Sequence, residues 1–104
     1  MNQVKIHTKY DLLYSLSENR EAIKAFGVNS LGIFGSFSKE TNTESSDVDL
    51  YVEFDSTRKT FDNFMGLSFF IEELVGRKVE IVTPQSLSKF IGPHILNEVQ
   101  YVSL

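Results

Sequence analysis

The chain has no cysteine, which excludes both a disulfide framework and a thiolate zinc site. It also lacks any apolar run near the roughly 20 residues that a membrane-spanning helix needs. Residues 1–10 are polar and lack the apolar centre of a secretory signal peptide. We therefore expect a soluble cytoplasmic protein that makes no contact with a membrane.

Basic residues are scarce as well, since 10 Lys and Arg stand against 14 Asp and Glu, for a net charge of -4. A general DNA or RNA binder normally carries a basic face, so direct nucleic-acid binding is not expected. A nucleotide that arrives with its own magnesium is not excluded by this charge.

The length of 104 residues and the hydrophobic content of 41% predict one folded domain over residues 1–104. A chain this short buries only about two-thirds of its unfolded surface. Additional stability from a partner protein or from an oligomer is therefore consistent with its size.

The spacing of apolar residues predicts the order helix, strand, strand, helix, strand, helix. Gly27 and Gly76 are predicted to end the first and second helical regions. This mixed order indicates an α/β or α+β fold in which a small mixed β-sheet is flanked by helices. The predicted helices cover residues 9–26 (with a break near Ser17), 60–75 and 93–101, and the predicted strands cover 31–34, 48–54 and 78–82.

Two closely spaced carboxylates mark the start of the second predicted strand. Asp47 and Asp49 lie two positions apart, and side chains at that spacing on a strand point to the same face. Like charges held side by side are costly unless a cation lies between them, and hard oxygen ligands favour magnesium. An isolated Asp-x-Asp is more often an exposed pair, so the neighbouring features decide the interpretation.

One such feature is the pair Gly35-Ser36 at the end of the first predicted strand. Glycine allows a sharp turn and a close approach of the backbone to a ligand, and the Ser36 hydroxyl adds a hydrogen-bonding group. If a short helix begins there, its free N–H groups face a phosphate. Taken alone, the pair also fits an ordinary turn from strand to helix.

The other feature is Glu80, a lone charge between Val79 and Ile81 on the third predicted strand. A charge inside an apolar strand needs a partner or a solvated face. If the third strand lies beside the second, Glu80 joins Asp47 and Asp49 in a cluster of three carboxylates. Such a cluster is suited to one or two magnesium ions bridged by substrate phosphates.

Three segments resemble the minimal nucleotidyltransferase family of the DNA polymerase β-like superfamily. The signature of this family is a Gly-Ser pair, ten intervening residues and then Asp-x-Asp, and residues 37–46 are those ten here. The resemblance covers nearly the whole chain after about residue 8. The segments are Leu-Gly-Ile-Phe-Gly-Ser-Phe-Ser-Lys (31–39), Ser-Asp-Val-Asp-Leu-Tyr-Val-Glu-Phe (46–54) and Gly-Arg-Lys-Val-Glu-Ile-Val-Thr-Pro (76–84).

The resemblance implies a polymerase β-like nucleotidyltransferase fold and a set of site residues. Gly35 and Ser36 would contact the phosphates of a nucleoside triphosphate, most simply ATP, and Lys39 would add a charge there. Three carboxylates would bind two Mg²⁺ ions and carry catalysis: Asp47, Asp49 and Glu80. The reaction implied is transfer of a nucleoside monophosphate, with pyrophosphate as the leaving group.

The family also implies a partner. Its short members often act as the antitoxin of a HEPN-domain toxin and attach AMP to a tyrosine of that toxin. Because 104 residues leave no evident second domain for acceptor recognition, we expect a partner protein to supply the acceptor. The chain is thus expected to be an enzyme of a toxin–antitoxin system, a protein adenylyltransferase.

Two positions depart from the family pattern and keep alternatives open. Glu80 stands where an Asp is usual, and Glu40 stands where a Gly is common. One alternative is a weak or inactive antitoxin that neutralises a HEPN ribonuclease by binding alone. A further alternative is a small-molecule transferase of the antibiotic-modifying kind, although those enzymes usually carry extra helical domains.

The charged pair Arg77-Lys78 precedes the third predicted strand. Charged residues beside a strand are most simply solvated, and no spacing links this pair to the site. We interpret both side chains as surface charges.

Overall fold

A mixed β-sheet organises the computed structural model, which describes residues 5–87 and 92–104. Within these ranges the sheet has four strands in the order β3-β2-β1-β4. Strand β1 is antiparallel to both β2 and β4, whereas β2 and β3 are parallel. The strands are β1 (Val28–Phe34), β2 (Val48–Phe54), β3 (Val79–Val82) and β4 (Gln100–Val102).

Five α-helices are present in the same two ranges. The parallel pair β2–β3 requires a crossover connection, and α4 supplies it. Side-chain caps fix two helix starts, because Thr8 accepts the Asp11 N–H at 3.1 Å and Thr60 accepts the Asn63 N–H at 3.1 Å. The helices are α1 (Lys9–Glu18), α2 (Arg20–Ala25), α3 (Gly35–Lys39), α4 (Phe61–Val75) and α5 (Gly92–Glu98).

The hydrophobic core lies on one face of the sheet. Strand β2 shows the alternation clearly, because Val48, Leu50 and Val52 are fully buried in the core. The side chains between them, which include Asp49, point to the opposite face. Helices α1, α2 and α4 fill the core with Leu12, Leu16, Ile23, Leu67, Ile71 and Val75. The opposite face of the sheet is thus where the acidic residues of β2 and β3 lie.

The predicted fold class is confirmed, and so are most of the elements. The break in the first helical region falls at Asn19, two residues after the predicted position, because α1 ends there and α2 begins at Arg20. Glycines close both helical regions as predicted, with positive φ values of 89° at Gly27 and 70° at Gly76.

The last element was predicted wrongly. Helix α5 ends at Glu98, and residues 100–102 form a short strand instead of continuing the predicted helix to residue 101. Pairing with β1 overrides the local helical pattern, since Leu31 lies opposite Val102 and Val102 is buried. A strand of this length has no sequence pattern that separates it from the end of a helix.

None of the helices in the described parts of the chain is long and apolar enough to cross a membrane.

Candidate active site

The turn from β1 into α3 brings the glycine-serine pair against the Asp-x-Asp motif. Gly35 has φ of +73°, a conformation that side chains with a Cβ rarely adopt. A Cβ at this position would collide with Asp49 Oδ2 and lie 3.1 Å from Asp49 Cγ. The glycine therefore allows the backbone of the turn to pack directly on the Asp49 carboxylate. Ser36 follows Gly35 in α3 and is half-buried.

The third strand lies beside the second in the sheet, as the carboxylate prediction required. Asp49 is paired with Glu80 across the parallel β2–β3 ladder, so the two side chains stand next to each other on one face. Asp47 directly precedes β2 and is exposed. The condition set from the sequence, that the third strand lie beside the second, is thus fulfilled.

Asp49 carries the electrostatic strain of this arrangement. Burial, together with the neighbouring charges of Glu80 and Asp47, raises the pKa of Asp49 from 3.8 to about 6. Both effects disfavour the charged carboxylate. A bound cation would relieve both, so the charge distribution is suited to a positively charged ligand.

The donor set matches a hard divalent cation, because carboxylate oxygens are the ligands that magnesium prefers. Within residues 5–87 and 92–104, however, no three acidic or histidine side chains are close enough together to hold an ion. Asp47 and Glu80 are exposed, so a change of side-chain rotamer can bring their oxygens nearer to Asp49. The three carboxylates therefore suit a magnesium ion by their chemistry, and Asp49 and Glu80 lie next to each other on one face of the sheet.

Lys39 lies in the last turn of α3, on the same short helix as Ser36. Its Nζ is 3.0 Å from Glu98 Oε1, so it pairs with a residue of α5. A contact between Lys39 and a phosphate therefore requires this exposed ion pair to open, which costs little in water. The phosphate role of Lys39 stays a prediction.

The departure at Glu40 has a backbone explanation. Glu40 ends α3 with φ of 60°, in the left-handed region that favours glycine. This conformation explains why a glycine is common at this position in the family. Glu40 adopts it at a cost in backbone energy, and its side chain is exposed.

Arg77 was predicted to be a solvated charge, and this prediction is wrong. Only 7% of its surface is exposed. Its Nε donates to the Ile6 carbonyl at 2.6 Å, and its Nη1 donates to the carbonyls of Thr43 at 3.0 Å and Ser46 at 2.8 Å. Its guanidinium carbon lies 4.9 Å from the centre of the Phe37 ring. Lys78, the other half of the pair, is exposed as predicted.

The sequence gives little to distinguish Arg77 from Lys78. Both follow the glycine that ends α4, and the acceptors of Arg77 are main-chain carbonyls far away in sequence. The alternation that begins at Val79 is the one available clue, because it places residue 77 on the buried side of an extended segment.

Comparison with known proteins agrees with this geometry. Residues 16–102 match the family model described as "Nucleotidyltransferase domain". The protein adenylyltransferase MntA of Thermococcus cleftensis is 35% identical over 86 residues, which cover 83% of this chain and 86% of that protein.

Two solved structures share the fold. A structure described as a minimal nucleotidyltransferase superposes with a TM-score of 0.68 at 29% identity, and covers 88% of this chain and 95% of its own. A crystal structure of a toxin–antitoxin with AMP-PNP superposes with a TM-score of 0.59 at 16% identity, and covers 82% and 70%. The family match, the identity to a named transferase and the shared fold give one conclusion: this chain belongs to the nucleotidyltransferase domain family and is a nucleotidyltransferase.

Proposed function

We propose that this chain is a magnesium-dependent protein adenylyltransferase that transfers AMP from ATP to a tyrosine hydroxyl of a HEPN toxin and thereby acts as its antitoxin. The observation that carries the proposal is the packing of Gly35 on Asp49, with Glu80 paired to Asp49 in the next strand. This packing joins a phosphate-binding turn to a group of carboxylates.

The relatives support the finer parts of the proposal. One relative is named a protein adenylyltransferase, and one structural neighbour is a toxin–antitoxin crystallised with AMP-PNP. An adenine nucleotide, a protein acceptor and a toxin partner are therefore the first choices to test. We propose the cytoplasm as the location of this protein.

Each site residue has a role in the proposal. The Gly35 backbone and the Ser36 hydroxyl contact the phosphates, and Lys39 adds a positive charge at the end of the same helix. Asp47, Asp49 and Glu80 hold Mg²⁺. When bound, magnesium neutralises charge that develops on the attacking and leaving oxygens. In the reaction the acceptor oxygen bonds to the α-phosphorus, the bond from the α-phosphorus to the bridging α–β oxygen breaks, pyrophosphate leaves with that oxygen, and the proton of the acceptor hydroxyl is released to solvent.

The test is a transfer assay with each of the four α-labelled nucleoside triphosphates, magnesium and a HEPN-domain protein. The double variant Asp47→Asn/Asp49→Asn is compared with Glu53→Gln, a carboxylate of the same strand and the same face. We expect label on the partner with the unaltered chain and with Glu53→Gln, from ATP alone, and none with the double variant. Label transferred equally well by the double variant would disprove the proposed site.

The alternative is neutralisation by binding alone. It is favoured by the separation of the carboxylates in the described residues and by Glu80, whose side chain is longer than that of the usual aspartate. This alternative predicts that the double variant still forms the complex and still suppresses ribonuclease activity. The adenylyltransferase proposal predicts that suppression is lost with the label.

A further inference from the structure

A buried guanidinium connects three parts of the chain that are distant in sequence. Arg77 donates to the carbonyl of Ile6, to three carbonyls of the loop at residues 43–46, and packs on the ring of Phe37. The hydrogen bonds join residues that are 31 to 71 positions apart. Arg77 thus fixes the relative position of segments that no strand pairing connects.

The chemistry of these contacts suits arginine alone. A guanidinium presents a planar fork of donors that can serve several carbonyls at once, whereas an ammonium is a point charge with a different geometry. A buried charge is costly unless polar groups surround it, and here carbonyl oxygens and an aromatic face do so. Among residues 5–87 and 92–104, no acceptor reaches Arg77 Nη2. Burial of this group is therefore not fully compensated by its own hydrogen bonds.

What it orders is the approach to the carboxylates. Ser46, whose carbonyl accepts from Arg77 at 2.8 Å, directly precedes Asp47. Phe37, which lies under the guanidinium, follows Gly35 and Ser36 on α3. One side chain therefore contacts a residue next to each half of the motif.

The other contacts that hold the loop are internal to it or lie at the surface. Its turn is closed by the Ser46 N–H on the Thr43 carbonyl at 3.1 Å and by the Thr43 N–H on Ser46 Oγ at 2.8 Å. Both bonds join residues within the loop, so they close its turn but do not fix its position relative to the sheet. Within the described residues, the loop's other polar links to the rest of the chain are exposed contacts with the N-terminal segment. Lys5 Nζ donates to the Glu44 carbonyl at 2.7 Å, His7 Nδ1 lies 3.0 Å from Glu44 Oε1, and Asn42 Nδ2 donates to the His7 carbonyl at 2.7 Å.

We propose that Arg77 is a positioning residue for nucleotidyl transfer, which holds Asp47 and the Gly35-Ser36 turn in register for the reaction. It touches neither substrate nor metal and acts through the loop at residues 43–46 and through Phe37. The inference rests on the proposed function for its kinetic part. The ordering of the loop can be tested without any reaction.

The first experiment compares Arg77→Lys with the matched control Lys78→Ala, the exposed neighbour. Amide hydrogen exchange reports on the loop, and transfer kinetics are normalised to the folded fraction. We expect faster exchange at Ser46 and Val48 and a kcat about 10- to 100-fold lower in Arg77→Lys, the range typical of residues that orient ligands. The KM for ATP should change by less than about threefold, because the packing of Gly35 on Asp49 still holds the phosphate-binding turn when the contact with Phe37 is weakened. Lys78→Ala should match the unaltered chain in all three.

The second experiment is chemical rescue. Arg77→Ala is assayed with millimolar guanidinium and, in parallel, with methylammonium. Guanidinium should restore part of the lost kcat and of the loop protection, whereas methylammonium should restore neither, because it lacks the planar fork. If Arg77→Ala acted only by lowering stability, guanidinium would not raise the kcat per folded molecule. If Arg77→Ala does not fold, Phe37→Leu replaces it and should lower kcat in the same direction by a smaller factor.

The outcomes separate the two proposals. Normal kcat and normal loop exchange in folded Arg77→Lys would overturn the positioning role while leaving the proposed function intact. If the unaltered chain and Lys78→Ala transfer no AMP, the proposed function fails. The exchange measurement then decides the inference, because unchanged protection at Ser46 would overturn it and lost protection would support the ordering.

Discussion

At the residue scale, Asp49 is the position where folding and function are in conflict. Without a cation, its carboxylate stands beside Glu80 and close to Asp47 in a partly buried place. We predict that Asp49→Asn increases the free energy of unfolding in EDTA by about 1 kcal/mol, a figure reduced by solvent screening of a group that is half-exposed. Urea denaturation at pH 7.5 measures this, with Glu53→Gln as the control.

The sign of the pH dependence follows from the pKa of Asp49, which is raised from 3.8 to about 6. Below about pH 4 the carboxyl is protonated in both the folded and the unfolded chain, so it carries no penalty. As the pH rises from about 4 to about 6, the unfolded chain loses this proton while the folded chain keeps it, so stability falls; above about pH 6 the carboxyl is charged in both states and the penalty stays constant. The advantage of Asp49→Asn should therefore grow between about pH 4 and about pH 6. An advantage that is constant across this range would contradict the explanation.

Glu40 is the second residue where the chain accepts a cost. Its φ of 60° disfavours any side chain, so Glu40→Gly should raise the free energy of unfolding by about 1 kcal/mol. Glu40→Ala removes the same charge but keeps a Cβ, and should give no such gain. If both variants stabilise the protein equally, charge and not backbone conformation is responsible.

At the element scale, β4 depends on a small residue in its neighbour. A Cβ on Gly32 would collide with Val99 Cγ1 and lie 3.3 Å from the Gln100 carbonyl, so the two strands approach closely there. Gly32→Ala should lower the free energy of unfolding by about 1–3 kcal/mol and loosen β4, because the packed backbone has to shift. Faster amide exchange at Tyr101 and Val102 would show the loosening.

The matched control is Gly92→Ala at the start of α5. A Cβ there meets Leu87 at 3.4 Å, which is ordinary contact. This variant should leave the free energy of unfolding nearly unchanged. Equal destabilisation by both alanines would mean that glycine flexibility, and not the approach of β4, explains the effect.

The elements differ in how far the sequence predicts them. The helix α4 has apolar residues at helical spacing, a Thr60 cap and a closing glycine, so it was found nearly residue for residue. Strand β2 was found with its bounds because Val48, Leu50 and Val52 alternate with polar residues. Strand β4 was missed because its pairing with β1 comes from tertiary structure, which no local pattern records.

At the scale of the whole molecule, local patterns predicted the carboxylates and the glycine turn, whereas tertiary contacts that no local pattern records determine the place of Arg77. Gly35, Asp47, Asp49 and Glu80 were predicted as a group because their spacing matches a pattern and their strands are neighbours. The burial of Arg77 was not predicted, because its hydrogen-bond acceptors are main-chain carbonyls that lie far away in sequence.

The long reach of Arg77 has a consequence for how the protein is made. Contacts between residues far apart in sequence form late in folding, because the chain must first close large loops. Ribosomal synthesis releases residues 6, 37 and 43–46 well before residue 77, so an emerging chain carries the Gly-Ser and Asp-x-Asp motifs without the guanidinium that orders them. The loop at residues 43–46 and the ring of Phe37 therefore gain their contacts with this guanidinium only after residue 77 has left the ribosome.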